Sequence, residues 1–173
     1  YANVVFDLSY ELHKEFSDDG NAKFLSEGVA RTIKKSKKVI TISQNAKKEL
    51  KDFYKLPDNQ VVVATPATDP SVFYRRGQKE IGQVKQKYGI TGDYILALSN
   101  LEPRKNLAAL VDVYCRLPKE ITDKTALLLV GVSGWKTDEL FNDIVSRVDA
   151  GANIIRPSHY VTDEDRPAII SGA

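Results

Sequence analysis

The sequence predicts an α/β protein in which short parallel strands alternate with helices in two lobes. One observation is the regular rhythm after residue 93, where apolar strand segments are each followed by an amphipathic segment of helical length. This alternation is typical of a doubly wound parallel sheet. A second observation is the stretch TPATDPSVF at 65–73, which has two prolines and no periodicity and is typical of a linker. We therefore predict one lobe over 1–72, a linker with a short helix over 73–93, and a second lobe over 94–173.

In the first lobe, apolar runs predict three strands, at 2–8, 39–42 and 60–64. Apolar residues spaced by three and four predict a helix over 21–35. These residues, which share one face of the helix, are Ala22, Leu25, Val29 and Ile33. A second helix is predicted over 44–54, with Ser43 as its N-cap. One face of this helix carries Ala46, Leu50 and Phe53.

The linker is followed by a short amphipathic helix over 79–88, which Gly89 closes. Strands are then predicted at 94–98, 126–130 and 153–156, and helices at 106–116, 137–148 and 163–171. Thr162 is placed to cap the last helix, and Asp163 and Glu164 fall in its first turn. Because such a sheet normally continues beyond three units, and because the chain contains no methionine, we expect it to be part of a longer protein.

Composition excludes several classes of protein. The 173 residues include 25 basic and 23 acidic side chains, a balance too even to indicate a nucleic-acid partner. No apolar run approaches the roughly 20 residues of a membrane span, and residues 1–25 do not show the basic start and apolar core of a signal peptide. Cys115 is the one cysteine, which rules out an intramolecular disulfide, and the two histidines are too far apart for a zinc motif.

The segment SNLEPRKN at 99–106 is the first candidate for a ligand site. It follows a predicted strand, and ligands of parallel sheets bind at the carboxyl ends of strands, near helix N-termini. Arg104 and Lys105 fall at the start of the predicted helix, where the helix dipole disfavours cations unless an anion lies opposite. Gly131 and Gly134, in GVSGW, follow the next strand and would let a ligand approach the backbone, although a tight turn explains them equally well. No GxGxxG or GxxxxGKS motif is present.

The segment LSNLEPRKNLAALVDVY resembles the donor-domain signature of the group 1 (family 4) retaining glycosyltransferases, which have the GT-B fold of two Rossmann-like lobes. The resemblance extends to VITISQNAKKELKDFYKLPDNQVVVATPATDPSVF, to VVFDLSYELHKEFS, to LLLVGVSGW and to the HYVTDED segment. Each motif is moderately specific, and their order and spacing together are strongly specific. The resemblance thus covers nearly the whole chain.

The resemblance implies that a hexosyl group is transferred from a nucleotide-sugar to an acceptor hydroxyl, with retention and without a required metal or other cofactor. It assigns Arg104 and Lys105 to the donor diphosphate, with Lys105 the stronger candidate. The segment His159-Tyr160-Val161 would offer backbone groups to the nucleobase, or would be an ordinary loop. It implies no catalytic residue that we can assign. The predicted lining of the donor site is Ser99, Asn100, Gly131, Tyr160 and Val161, and Asp7 is assigned to the acceptor-side loop.

Three departures from the family pattern leave alternatives open. Ser99 and Asn100 replace a common Gly-Thr pair, and Phe6 stands where many members have histidine. The family's Glu-Gly-Phe-Gly loop would follow Ala173, so we expect this chain alone not to transfer sugar. A non-catalytic sugar-nucleotide-binding or scaffold protein, or a sugar-nucleotide epimerase of the same fold, are the alternatives.

For the enzyme, the expected acceptor is a glycan or a lipid-linked molecule in polysaccharide synthesis, and the expected location is the cytoplasm. The basic run KKSKK at 34–38 follows a predicted helix, where cations complement the dipole. Contact of this run with the anionic inner face of a membrane is the second interpretation.

Overall fold

The computed structural model describes residues 1–17, 19–134 and 137–173. The chain divides into two compact units, Tyr1–Ala67 and Thr68–Ala173. Each unit contains one three-stranded sheet in which every strand pair is parallel. The predicted α/β fold with parallel sheets is confirmed. Residues 73–93, which we assigned to a linker and a short helix, lie within the second unit.

The sheet of the first unit has the strand order β1-β2-β3. Its strands are β1 (Ala2–Val4), β2 (Lys38–Thr41) and β3 (Val61–Val63). Its helices are α1 (Ser9–Leu12), α2 (Asp19–Ile33) and α3 (Gln44–Tyr54), with 3-10 turns at Lys14–Phe16 and Asp58–Gln60. The short β1 replaces a predicted strand that ran to residue 8.

Helix α3 shows how the sequence pattern sets the core of the first unit. The Ser43 side chain accepts a hydrogen bond from the amide of Ala46 at 3.1 Å, so the predicted N-cap is confirmed. Leu50 is completely buried, but Phe53, on the same predicted face, is 44% exposed. Tyr54, four residues after Leu50, packs against the core instead, and the Phe53 ring lies edge-on to it with centroids 4.9 Å apart.

The sheet of the second unit has the order β4-β5-β6. Its strands are β4 (Asp93–Leu98), β5 (Thr125–Val130) and β6 (Ile154–Ile155). Its helices are α4 (Gln78–Lys87), α5 (Leu107–Cys115), α6 (Lys119–Thr122), α7 (Asp138–Asp149) and α8 (Arg166–Ser171). The central strand β5 is buried from Ala126 to Val130, as expected for a parallel strand covered on both faces.

Alternate side chains of β5 enter two different cores. Ala126, Leu128 and Val130 pack on one face with residues of α4 and α8, including Val84 and Ile169. On the other face, Leu127 and Leu129 pack with α5 and α7 through Val111, Tyr114 and Ile144. A fully buried leucine contributes roughly 1.5–3 kcal/mol, so these layers hold the sheet and fix the position of its carboxyl edge.

Helix α4 belongs to the second unit because its apolar side chains, Ile81 and Val84, are buried there. Its C-terminal end is closed by Gly89 at φ +65°, after which the Ile90 amide donates to the Lys85 carbonyl at 2.8 Å. The predicted helix boundaries of 79–88 are correct to within one residue.

The last helix starts later than predicted. Helix α8 begins at Arg166, and the residues from Thr162 to Asp165 form a turn. The Thr162 carbonyl accepts bonds from the amides of Asp165 and Arg166, both at 3.2 Å. The Thr162 hydroxyl bonds to the Asp165 carboxylate at 3.1 Å instead of capping a helix. Pro167, in the first turn of α8, suits a helix start.

Candidate functional site

A cavity of about 530 Å³ lies at the carboxyl ends of β4, β5 and β6. Parallel strands all end at the same edge of a sheet, so residues distant in sequence meet there. The cavity is lined by all five residues that we predicted for the donor site: Ser99, Asn100, Gly131, Tyr160 and Val161. His159 also lines it. Their role in binding a donor remains a prediction.

Gly131 and Gly134 allow two chain segments to come very close beside this cavity. The Ser99 amide donates to the Val130 carbonyl at 3.0 Å, which extends the pairing of β4 with β5. A Cβ atom on Gly131 would lie 1.8 Å from the Ser99 carbonyl oxygen, and one on Gly134 would lie 2.6 Å from Glu102 Cγ. On the side of the missing Cβ atoms, the space is therefore filled by the protein's own chain.

The loop cations form a short turn of their own before α5, which begins one residue later than predicted. Residues Pro103–Lys105 form one 3-10 turn, and Asn106 adopts a left-handed conformation at φ +51° before α5 begins. Neither Arg104 nor Lys105 is among the residues that line the cavity. The two cations occupy the loop that continues from the cavity wall at Asn100.

Arg104 already has a negative partner. Its Nε donates to Glu102 Oε2 at 2.7 Å, and Asn100 Nδ2 donates to Glu102 Oε1 at 3.2 Å. The hydrogen bond from Arg104 is the main cause that lowers the pKa of the Glu102 carboxyl, and the charge of Lys105 contributes less. The electrostatic conflict from which we predicted a bound anion is thus relieved at Arg104 by Glu102.

Lys105 is exposed, as Arg104 is, but in the described part of the chain it has no carboxylate within ion-pair distance. Its ammonium group is therefore available to a ligand. The assignment of Lys105 and Arg104 to a diphosphate stays a prediction.

The cavity wall between β6 and α8 is held by a buried hydroxyl that the sequence did not reveal. Tyr88, at the end of α4, is 7% exposed, and its hydroxyl donates to Asp165 Oδ2 at 2.7 Å. The Thr162 amide donates to the same hydroxyl at 3.3 Å. Lys87 Nζ lies 2.6 Å from Asp165 Oδ2. The hydrogen bond from Lys87, followed by that from Tyr88, lowers the pKa of Asp165.

Two arginines also line the cavity and were not predicted. Arg166 is paired with Asp163 at 2.8 Å and hydrogen-bonds the Tyr160 hydroxyl. Arg156 comes directly after β6, and its Nη2 donates to Ser133 Oγ at 3.2 Å. The only sequence signal for Arg156 was its place at a strand end, which we did not use.

In the first unit, Asp7 forms a turn before α1. Its Oδ1 accepts hydrogen bonds from the Ser9 amide at 2.9 Å and the Ser9 hydroxyl at 2.6 Å. The neighbouring Phe6 side chain is 62% exposed. These contacts give Asp7 a local structural role, and its assignment to an acceptor-side loop stays a prediction.

The described residues, 1–17, 19–134 and 137–173, contain no group of three or more His, Cys, Asp or Glu side chains placed to hold a metal ion. None of their helices has both the length and the apolar character needed to cross a membrane.

The sequence is similar to bacterial sugar transferases. It is 27% identical over 168 residues to an O-antigen chain mannosyltransferase B of Escherichia coli, and the match covers 96% of this chain and 43% of the relative. It is 26% identical over 128 residues to the serotype-specific mannosyltransferase WbdA of Escherichia coli, and that match covers 73% of this chain and 16% of the relative. The chain therefore spans less than half the length of these curated relatives. No protein-family model matches it.

Among solved structures, the chain is similar to HepE of Anabaena in complex with UDP and glucose, with a TM-score of 0.74 and 16% identity. The match covers 99% of this chain and 44% of HepE. At this level of identity the likeness shows the fold alone. The α/β fold of the chain, with its two parallel sheets, matches that of GT-B glycosyltransferases.

Proposed function

We propose that the protein is a hexosyltransferase that moves a sugar from a nucleotide-sugar to an acceptor hydroxyl, with retention, in polysaccharide synthesis. The observation that carries this proposal is the cavity at the carboxyl ends of β4–β6, where the five predicted donor-site residues meet. The similarity to two mannosyltransferases, one of them acting on O-antigen chains, supports the reaction class and the polysaccharide product.

The donor would bind at the carboxyl edge of the second unit. A cavity of about 530 Å³ falls within the usual range for small-molecule sites. The named activity of the relatives favours a mannosyl donor, whereas HepE was solved with UDP and glucose. We propose that the exposed Lys105 contacts the donor diphosphate, with Arg104 contributing less because Glu102 already binds its guanidinium. We propose no metal or other cofactor for the reaction.

Nucleotide binding is the direct test. Isothermal titration of the full-length protein with UDP, GDP and ADP, and with their glucose and mannose conjugates, should give saturable binding of one nucleotide. Ligand binding to the folded state should also raise the unfolding temperature. If none of the three nucleotides bound, the proposal would be refuted. Product anomer analysis would then test retention.

A non-catalytic sugar-nucleotide-binding protein of the same fold is the second candidate. It is favoured by Phe6, an exposed aromatic side chain in the loop where many enzymes of the resembled family have histidine. The two candidates separate in one assay, because both bind the nucleotide but only the enzyme consumes a nucleotide-sugar when a glycan acceptor is supplied. Binding without turnover of any sugar would favour the second candidate.

We also propose that the protein acts in the cytoplasm on a glycan or lipid-linked acceptor, at the inner face of a membrane. Lys34, Lys35 and Lys37 are exposed beyond the end of α2 and would supply attraction to anionic lipid. Co-sedimentation with vesicles of phosphatidylglycerol, compared with phosphatidylcholine, tests this contact. Equal sedimentation with both would remove the electrostatic argument.

A further inference from the structure

The charge of the cavity is one-sided. None of the described residues that line it is acidic. Two arginines, Arg156 and Arg166, line it together with His159. Ser99, Ser133 and Ser158 add hydroxyl groups, which can donate to an anion. A cavity with cations and hydroxyl donors but no carboxylate is suited to a negatively charged ligand.

The two arginines differ in how their charge is balanced. Arg166 forms an ion pair with Asp163 at 2.8 Å, so its charge is largely offset within the protein. Arg156 has no carboxylate within 4 Å among the described residues. Its guanidinium is therefore the cation of the cavity wall whose charge is left for a ligand.

The Arg156 side chain is also held in place. Its guanidinium carbon lies 4.2 Å from the centroid of the Phe141 ring, in cation–π contact. Its Nη2 donates at 3.2 Å to the Oγ of Ser133, a residue of the segment after β5. One contact from α7 and one from the β5 end thus orient the guanidinium, and a planar donor group that is already oriented loses less entropy when it binds an anion.

We propose that Arg156 binds a phosphate group of the nucleoside diphosphate in this cavity, as a determinant of donor affinity. The inference rests on the proposed function for its ligand, and on the charge and geometry of the cavity for the residue. It adds a binding residue at the end of β6 to the loop cations that the sequence indicated.

The test compares ligands with and without phosphate in the full-length protein and its variants. Arg156→Gln removes the charge, and Arg156→Lys keeps the charge but loses the planar fork. For whichever of UDP, GDP or ADP the wild type binds, Arg156→Gln should weaken binding roughly ten- to a hundredfold, the effect of losing a hydrogen bond to a charged group. Arg156→Lys should retain part of the affinity, and the parent nucleoside should bind all three proteins equally.

The matched control is Arg116→Gln. Arg116 is an arginine of the same unit that does not line the cavity and that pairs with Asp112 at 2.6 Å. Arg116→Gln removes the same charge outside the cavity. If the effect of Arg156→Gln is local to the cavity, Arg116→Gln should leave the nucleotide affinity within about twofold of the wild type. Circular dichroism of each variant should show an unchanged fold, because Arg156 is exposed.

The failures of the two proposals are distinguishable. If the wild type binds inorganic pyrophosphate through Arg156 but no nucleotide, the proposed function fails and the anion site stands. If nucleotide binds the wild type and Arg156→Gln equally well, the inference is wrong while the proposed function survives. Equal weakening of nucleoside and nucleotide would also overturn it, since Arg156 would then contact the base or ribose. Binding of neither pyrophosphate nor nucleotide would refute both.

Discussion

The hydrogen bonds of Tyr88 should stabilise the second unit, and Tyr88→Phe removes them without creating a large cavity. The hydroxyl is buried, donates to the Asp165 carboxylate at 2.7 Å and accepts from the Thr162 amide at 3.3 Å. A hydrogen bond to a charged group contributes about 1.5–3 kcal/mol. We expect a loss of that size in the free energy of unfolding. For the 106-residue unit (68–173), it corresponds to a decrease of roughly 6–12 °C in unfolding temperature.

The loss should depend on pH in a defined direction. The pKa of Asp165 is lowered in the folded state, first by Lys87 and then by Tyr88. A carboxylate with a lowered pKa contributes stability above its unfolded value of about 3.9, and this contribution disappears as the pH falls through the folded value. The cost of Tyr88→Phe should therefore be largest near pH 7 and should shrink at the lowest pH at which the wild type stays folded.

The assay is urea denaturation of wild type and variant at several pH values, and Tyr94→Phe is the matched control. Tyr94 is also buried in the same core, but its hydroxyl donates to the neutral carbonyl of Ile169 at 2.6 Å. Its loss should cost about 1 kcal/mol at every pH. If the cost of Tyr88→Phe were as small as that of an exposed substitution, or did not change with pH, the reasoning about Asp165 would be wrong.

Two further predictions concern Lys105 in the loop and the close approach of Gly131 to Ser99. Lys105→Ala should weaken nucleotide binding roughly ten- to a hundredfold while changing the free energy of unfolding by less than about 0.5 kcal/mol. Titration measures the affinity and circular dichroism the fold. A variant that unfolds but binds with unchanged affinity would show that Lys105 has a structural role. Gly131→Ala should cost about 3 kcal/mol or more, because its Cβ would lie 1.8 Å from the Ser99 carbonyl oxygen. The control Gly82→Ala, inside α4 with nothing within 4 Å of the new Cβ, should stabilise by about 0.5–1 kcal/mol. Thermal denaturation of both glycine variants measures the two effects. Equal unfolding temperatures for the two variants would contradict the close approach of Gly131 to Ser99.

The amino-acid sequence by itself determined the elements and their class. Strand β5 could be predicted because its apolar run, ALLLV, is short and lies between the polar stretch TDKT and Gly131. Helix α3 could be predicted because Ser43 precedes a helical spacing of apolar residues. Alternation of such segments implies parallel strands, and parallel strands end at a common edge. Together with the resemblance to the glycosyltransferase family, this predicted that Ser99, Gly131 and Tyr160 line one site.

Only the tertiary structure decided which groups face the cavity and which are already paired. Sequence spacing did not reveal that Glu102 turns back to bind Arg104, or that Tyr88 lies beside Asp165, 77 residues away. Nor did it show that Arg156 lies over Phe141. Secondary structure follows from local periodicity along the chain, whereas side-chain contacts depend on how separate helices and strands pack, so the charge available to a ligand is set by the fold.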